Sequence, residues 1–238
     1  DAAGQSLLQA IDLGFRDFGH LKRDPDLATM HDHPTFIAIM AAEGQIDRTK
    51  SDRQLKKWKG RFGEEGYIYE SDAERRLHFA TGVDATAHKQ MKDMIQTQAD
   101  QMSKTLFGSA PDYWCLIAVP KEADAKKFFE KENTAGIYIH ASRRLVSRDI
   151  GASMRHDFGH LMHYGHMERL VGQKHPIWIQ EGLASLYEDY SIDDDGSFTF
   201  RPNRRQNIIS KQVDRNVALS FERFFALDPR SFMAGNAR

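Results

Sequence analysis

Apolar residues recur at helical intervals in several parts of the chain. Residues 1–42 are predicted to be helical, with one apolar face formed by Leu7, Leu8, Ile11 and Phe15. Residues 84–107 contain no Gly or Pro and have apolar residues at the same spacing, which predicts one long helix. We also predict helices over 123–132, from about 150 to 165 with Asp149 as the cap, over 203–213 and over 220–225.

Shorter apolar runs between these helices predict strands. Residues 67–70 and 77–80 flank a polar turn, which predicts a hairpin. Residues 113–119 are continuously apolar and are followed by Pro120, so we expect a buried strand there. Further short strands are predicted over 136–140, 144–146 and 198–200. The chain is therefore expected to combine helices with a sheet.

The composition changes between residues 43 and 63, where Lys, Arg, Asp, Gln and Gly dominate. We interpret this segment as a linker with a helix around 52–59, in which Trp58 packs against a neighbouring surface. The linker divides the chain into a helical segment over 1–42 and a larger domain over 64–238.

The bulk properties of the 238 residues exclude some classes of partner. The formal net charge is −1 and the sequence pI is about 6.9, so we expect no nucleic-acid partner. No run approaches the roughly 18 apolar residues that a membrane helix needs, so no membrane span is predicted. Cys115 is the only cysteine, which excludes an internal disulfide.

The residues richest in candidate chemistry lie between 153 and 190. His156 and His160 are four apart, which places both imidazoles on one helical face, one turn apart, within reach of one metal ion. Asp157 lies between them. Glu181 follows His160 after twenty residues, a gap that allows a second helix to present its carboxylate as a third ligand.

Two alternatives to this ligand set remain open. His166 follows His160 at a spacing known from other zinc peptidases, but Gly165 comes two residues too late for the turn that such a site needs. A histidine-rich helix without any metal is the second alternative. We favour Glu181 over His166 because of the residues around it.

Those residues carry a family resemblance. His156-Asp157-x-x-His160 is a near-match to the HExxH motif, and residues 176–184, PIWIQEGLA, reproduce a Pro-x-Trp-x-x-Glu-Gly-Leu-Ala segment. The chain resembles the gluzincin metallopeptidases, in particular the bacterial peptidase-MA-like group. The resemblance covers roughly residue 67 to the C-terminus. It implies an α+β, zincin-like domain with a small mixed or antiparallel sheet and a metal-binding helix.

A site with His156, His160 and Glu181 as ligands has the three protein ligands and one open position of a catalytic zinc site, with one Zn²⁺ per chain. The function expected is hydrolysis of peptide bonds in a peptide or protein substrate by a metal-bound water, with Asp157 as general base. Asp is one methylene shorter than the usual Glu, which sets its carboxylate back by roughly 1–1.5 Å. The alternatives are a weak or inactive metal-binding pseudopeptidase and a repeat-protein interaction module.

Other residues are assigned to the surroundings of the site. His163 shares the helical face of His156 and His160, so it is a candidate for the pocket wall. Ser185 is one turn from Glu181 and is the favoured hydrogen-bond partner of the ligands, with Glu188 and Asp189 as further candidates. Tyr138 and Tyr187 are candidates for stabilising an oxyanion. Residues 136–140 are a candidate edge strand for substrate binding.

The N-terminal part carries a second resemblance. Residues 14–36, with Asp24-Pro25-Asp26-Leu27 and His33-Pro34-Thr35-Phe36, resemble the closing segment of bacterial tetratricopeptide arrays, which implies a protein partner for this segment. An unrelated helical hairpin is the alternative. The sequence begins with Asp1, and we expect a piece of a longer protein at both ends. Localisation is unassigned: we expect a soluble bacterial protein, and export is compatible with the sequence.

Overall fold

The structure, a computed structural model, describes residues 1–129, 134–168 and 172–235. Its α-helices are α1 Ala2–Leu13, α2 Phe18–Arg23, α3 Pro34–Ala41, α4 Glu43–Phe62, α5 Ala85–Met102, α6 Glu122–Ala125, α7 Ala152–His166, α8 Ile177–Leu186, α9 Arg204–Asp214, α10 Phe221–Phe225 and α11 Pro229–Gly235. Its strands are β1 Ile68–Asp72, β2 Leu77–Thr81, β3 Cys115–Val119, β4 Gly136–Ile139, β5 Arg144–Ser147, β6 Tyr190–Ile192 and β7 Phe198–Phe200. Short 3₁₀-helices cover Pro25–Met30 and His140–Ser142, and a π-helical turn, Ser103–Phe107, extends α5.

Within the described ranges, five strands form one mixed sheet in the order β1-β2-β3-β5-β4. The β1–β2 hairpin is antiparallel, β3 is parallel to both β2 and β5, and β4 is antiparallel to β5. The combination of helices with a mixed sheet confirms the α+β class. It also places β4 at one edge of the sheet, where one side of its backbone has no neighbouring strand.

The two faces of the sheet have separate cores because side chains of β3 alternate between them. Cys115, Ile117 and Val119 pack with buried residues of α5 and α7. Leu116 and Ala118 face the other side, where Trp58 of α4 covers them. The helix α7, which carries the histidines, thus lies in the larger of the two cores.

The segment predicted as a linker is helix α4, which continues for 20 residues from Glu43 to Phe62. The helix predicted around 52–59 is present but is longer than predicted, since it spans almost the whole segment. Leu55, Trp58 and Phe62 lie on one helical face and pack on the sheet, and the Trp58 ring stacks on Phe128 at 4.8 Å. The charged residues between them face solvent, which is why composition alone indicated a linker.

The N-terminal helices have a core of their own, formed by Leu7, Ile11, Phe18, Leu21, Phe36 and Ile39. Leu8, predicted to share the buried face of α1, is 48% exposed, because the face that packs on α3 is centred on Leu7 and Ile11. Helix α3 begins at Pro34, and its cap is His33, whose Nδ1 accepts a hydrogen bond from the Thr35 backbone N–H at 3.2 Å.

Two further helix predictions need correction. The helix predicted over 123–132 ends at Ala125, because Phe128 and Phe129 then pack in a turn onto the core that contains Trp58. Residues 130–132 of this prediction lie outside the described ranges. Asp149 does not cap α7, whose N-cap is Gly151. The Asp149 Oδ1 instead accepts a hydrogen bond from the Gly151 backbone N–H at 2.8 Å. Among the helices described, none is long and apolar enough to cross a membrane.

Candidate metal centre

Helix α7 brings two imidazoles to one point. His156 and His160 are one turn apart, and their Nε2 atoms are 3.1 Å from each other. Both rings are largely buried, with 10% and 14% of the side chains exposed. Neutral imidazole is the commonest metal ligand in proteins, so two Nε2 atoms this close together can bind one cation.

Helix α8 supplies the third group because it packs closely against α7. Gly159 faces Ala184, and a Cβ at position 159 would lie only 3.2 Å from the Cα of Ala184. The absence of a side chain at Gly159 therefore allows the two helices to approach. Glu181 lies one turn before Ala184, and its Oε2 and Oε1 are each 3.4 Å from the Nε2 of His156 and of His160 respectively.

The three residues form a group that could hold a metal ion, with one ligand atom from each within 4.8 Å of the others. Two ligand atoms bound to one tetrahedral zinc at ~2.0–2.1 Å are separated by about 3.3–3.4 Å. The separations of 3.1 and 3.4 Å agree with that value within a few tenths of an ångström. Two imidazoles and one carboxylate are also a donor set that suits zinc.

The charges of the group are strongly coupled. Burial alone would raise the pKa of Glu181, but its contacts with His156 and His160 outweigh burial and hold that pKa well below its usual range. Burial alone would lower the pKa of His156, but Glu181 and Glu188 raise it to about 9. The site thus favours a carboxylate beside positive charge, as a metal centre does.

Glu188 is the carboxylate on the outer side of His156. Its Oε1 lies 2.9 Å from His156 Nδ1 and 2.7 Å from Arg205 Nε, so the carboxylate forms ion-pair contacts with both groups. Arg155 also donates to the Glu188 carbonyl, with its terminal NH2 nitrogen at 2.6 Å. A ligating histidine normally has such an acceptor behind it, which fixes the ring and its tautomer. The residue in this position is Glu188, not the favoured Ser185, whose carbonyl instead accepts from Asn203 Nδ2.

Asp157 is a residue of α7, and its side chain contacts the edge strand β4. It is 9% exposed, and its Oδ2 lies directly against Gly136, in the space that a Cβ would need. Burial raises its pKa to about 6, against the lowering effect of His156 and His160. A carboxyl group with such a pKa exchanges a proton readily near neutral pH.

The other histidines considered in the sequence analysis are not part of the group formed by His156, His160 and Glu181. His163 is 2% exposed; its Nε2 is hydrogen-bonded to His175 Nδ1 at 2.8 Å, and its ring stacks on Phe107. It is therefore a core residue rather than part of a pocket wall. His166 contacts the Phe107 ring at 4.9 Å and is not in the metal-binding group.

The two candidate tyrosines differ in their surroundings. Tyr187 is 1% exposed and packs in the core against Tyr190, Phe198 and Phe200, so its hydroxyl does not face a cleft. The Tyr138 hydroxyl is hydrogen-bonded to His140 Nδ1 at 2.9 Å. Tyr138 thus lies on the edge strand beside α7, with its hydroxyl already engaged.

Tyr164 was missed by sequence reasoning. Burial raises the pKa of the Tyr164 hydroxyl, and the negative charge of the nearby Glu181 raises it further. The signal was available, because Tyr164 follows His160 by four residues and so continues the face of His156 and His160. The His140 ring stacks on it at 4.7 Å.

Comparison of the chain with protein-family models, curated proteins and solved structures found no match in any of the three.

Proposed function

We propose that this protein is a zinc-dependent hydrolase of peptide bonds, with His156, His160 and Glu181 as the metal ligands. The observation that carries the proposal is the convergence of two Nε2 atoms and a carboxylate at 3.1–3.4 Å from one another. Three protein ligands leave one coordination position for solvent or substrate, which is typical of catalytic and not of structural zinc sites.

When bound, zinc would lower the pKa of a coordinated water molecule and polarise the scissile carbonyl. Glu188 holds His156 in the orientation that presents Nε2 to the metal. Asp157 accepts a proton from the attacking water and returns it to the departing amine, a role that its pKa of about 6 supports.

The substrate that fits best is an extended peptide. Strand β4 is a sheet edge beside α7, and an extended chain can pair with such an edge through main-chain hydrogen bonds. Gly136, in this strand, is also the residue against which Asp157 rests. A peptide on β4 therefore lies close to the proposed base.

We further propose that the domain over 64–238 is zincin-like and related to the gluzincins. The HDxxH helix and residues 176–184 support this, together with the mixed sheet and its edge strand. The segment over 1–42 is proposed as the tail of a tetratricopeptide array that meets a protein partner.

Metal analysis tests the ligand set. Purified protein is expected to hold about one zinc per chain, and His160→Ala or Glu181→Ala to hold almost none. The matched control is His166→Ala, on the same helix, which is expected to retain zinc. Zinc that stays in Glu181→Ala but leaves in His166→Ala would replace the proposed ligand set by the alternative one.

A metal-binding pseudopeptidase is the second candidate, because Asp157 occupies the place of the usual Glu and lies against Gly136. Cleavage of an unstructured protein by wild type and by Asp157→Asn separates the two functions. Hydrolysis in wild type that falls at least tenfold in Asp157→Asn, with zinc retained, supports the enzyme. Zinc-loaded wild type that is as inert as Asp157→Asn supports the pseudopeptidase.

A further inference from the structure

A second cluster of buried charges lies at the far end of α7, away from the metal centre. A partly open cavity of about 100 Å³ is lined there by α2, the start of α4, the residues before β3 and the end of α7. Arg16, Arg143, Asp47 and Glu168 line it. This volume exceeds what one water molecule needs, so the cavity can hold a small molecule or several waters.

Two guanidinium groups in this cavity have donors without an acceptor. The side chains of Arg16 and Arg143 are 10% and 5% exposed. In both, the NH1 nitrogen is buried and has no hydrogen-bond partner among the described residues. Buried polar groups in proteins are almost always satisfied by protein, water or a bound ion, so these two donors call for an acceptor inside the cavity.

The remaining groups of the cluster hold Arg143 in place. Its NH2 nitrogen donates to Glu168 Oε1 at 2.9 Å and to the Arg16 carbonyl at 3.1 Å, and its guanidinium lies over the Tyr113 ring at 3.6 Å. Its backbone has a φ of 49°, which is uncommon outside Gly, Asn and Asp. Non-glycine residues in this region often occur at ligand-binding sites.

The carboxylates of the cluster are already engaged in part. Asp47 Oδ2 accepts from the Trp114 backbone N–H, and Asp47 Oδ1 is 3.8 Å from Arg16 NH1, too far for a hydrogen bond. Burial raises the pKa of Asp47. Its Oδ1, like Glu168 Oε2, is buried and has no hydrogen-bond partner among the described residues. Lys22 and Arg23 add positive charge to the lining, and Glu43 and Asp112 add negative charge. Arg23 NH2 donates to the Glu168 carbonyl at 2.7 Å.

We propose that this cavity binds a small oxyanion, a carboxylate or phosphate group, on the guanidinium groups of Arg16 and Arg143. A planar guanidinium with free N–H groups matches the oxygens of both anions. Since residues of α2 and α4 and the end of α7 line the same cavity, an anion bound there would lie between the N-terminal helices and the helix of the proposed metal ligands.

Isothermal titration calorimetry tests the proposal on the full chain, in chloride buffer of constant ionic strength. Inorganic phosphate and acetate are titrated separately, so that the two arms distinguish phosphate from carboxylate recognition. We expect saturable binding of one anion per chain in at least one arm. Arg16→Gln is expected to weaken it about tenfold or more, while Arg53→Gln, an exposed arginine of α4, keeps it.

Two further variants separate this site from the metal centre and from unfolding. Binding is expected to persist in His160→Ala, which lacks a proposed metal ligand; loss of binding there would mean that the anion binds at the metal, and would overturn the proposal. Arg143→Gln is expected to lose binding as Arg16→Gln does, with the fold of each checked by circular dichroism. Absence of saturable binding in wild type, or unchanged affinity in a folded Arg16→Gln, would also overturn it.

Discussion

At the scale of single residues, the proposed metal centre depends on atoms whose positions are set by small neighbours. Gly136 leaves the room in which the Asp157 carboxylate lies, and Gly159 leaves the room for α8. The Glu188 carboxylate lies 2.9 Å from His156 Nδ1, on the side of the ring away from Glu181. Such neighbours matter because a reacting group displaced by about 1 Å can lose on the order of 10²-fold in rate.

Replacing Gly136 by Ala is expected to push the Asp157 carboxylate out of its place. We predict that Gly136→Ala lowers hydrolysis of an unstructured protein by about 10- to 100-fold and leaves the zinc content unchanged, since the three ligands lie elsewhere. Gly44→Ala, where a Cβ meets no atom within 4 Å, is the control for activity. Full activity in Gly136→Ala would remove Asp157 from the mechanism.

Replacing Glu188 by Gln removes the carboxylate behind His156 and keeps the size of the side chain. We predict that Glu188→Gln weakens zinc binding by roughly 10- to 100-fold, measured by competition with a chelator. Asp189→Asn is the matched control, because Asp189 pairs with Arg201 at the surface. Equal zinc affinity in the two variants would assign Glu188 a purely structural role.

At the scale of elements, the sheet and the two helices on either side of it determine where the site can form. Helix α7 is packed between the sheet and α8, and α4 closes the opposite face of the sheet. The apolar face of α4 consists of only a few residues, yet it covers β2 and β3. The stability of the sheet is therefore expected to depend on this helix.

Truncation of Trp58 tests that dependence. We predict that Trp58→Ala lowers the free energy of unfolding by about 3–5 kcal/mol, measured by urea denaturation, because the ring is 4% exposed and stacks on Phe128. Lys57→Ala, on the exposed side of the same helix, is expected to change it by less than about 0.5 kcal/mol. If Trp58→Ala changed the free energy of unfolding as little as Lys57→Ala, the packing of α4 would not stabilise the sheet, and residues 43–63 would behave as a linker.

At the scale of the whole molecule, buried titratable groups make stability depend on pH. Burial, and then repulsion from His175 and His166, lowers the pKa of His163 to about 4. The unfolded chain, with a histidine pKa of about 6.5, therefore binds a proton that the folded chain does not between these two values. The folded state is disfavoured as the pH falls through that window.

We predict that His163 accounts for a loss of about 3 kcal/mol in the free energy of unfolding between roughly pH 6.5 and 4. His163→Gln is expected to reduce this pH dependence, measured as the difference between wild type and variant at each pH. The exposed His20→Gln variant is expected to leave the dependence as in wild type. A wild-type pH dependence that persists unchanged in His163→Gln would contradict the assignment.

The sequence by itself determined the local features: most helices and strands, the helical face shared by His156 and His160, and the candidacy of Glu181. The elements and the shared face follow from periodicity and spacing within one element, which short-range sterics and burial control. The candidacy of Glu181 follows from the family resemblance of residues 176–184. The sequence could not decide whether Ser185 or Glu188 lies behind His156, and it could not place Asp157 against Gly136. Its composition also did not show that α4 is one continuous helix. Only the tertiary structure decided these points, together with the pairing of Arg16 and Arg143 around one cavity. Each depends on how closely two elements distant in the chain approach, and that distance results from the packing of the whole core.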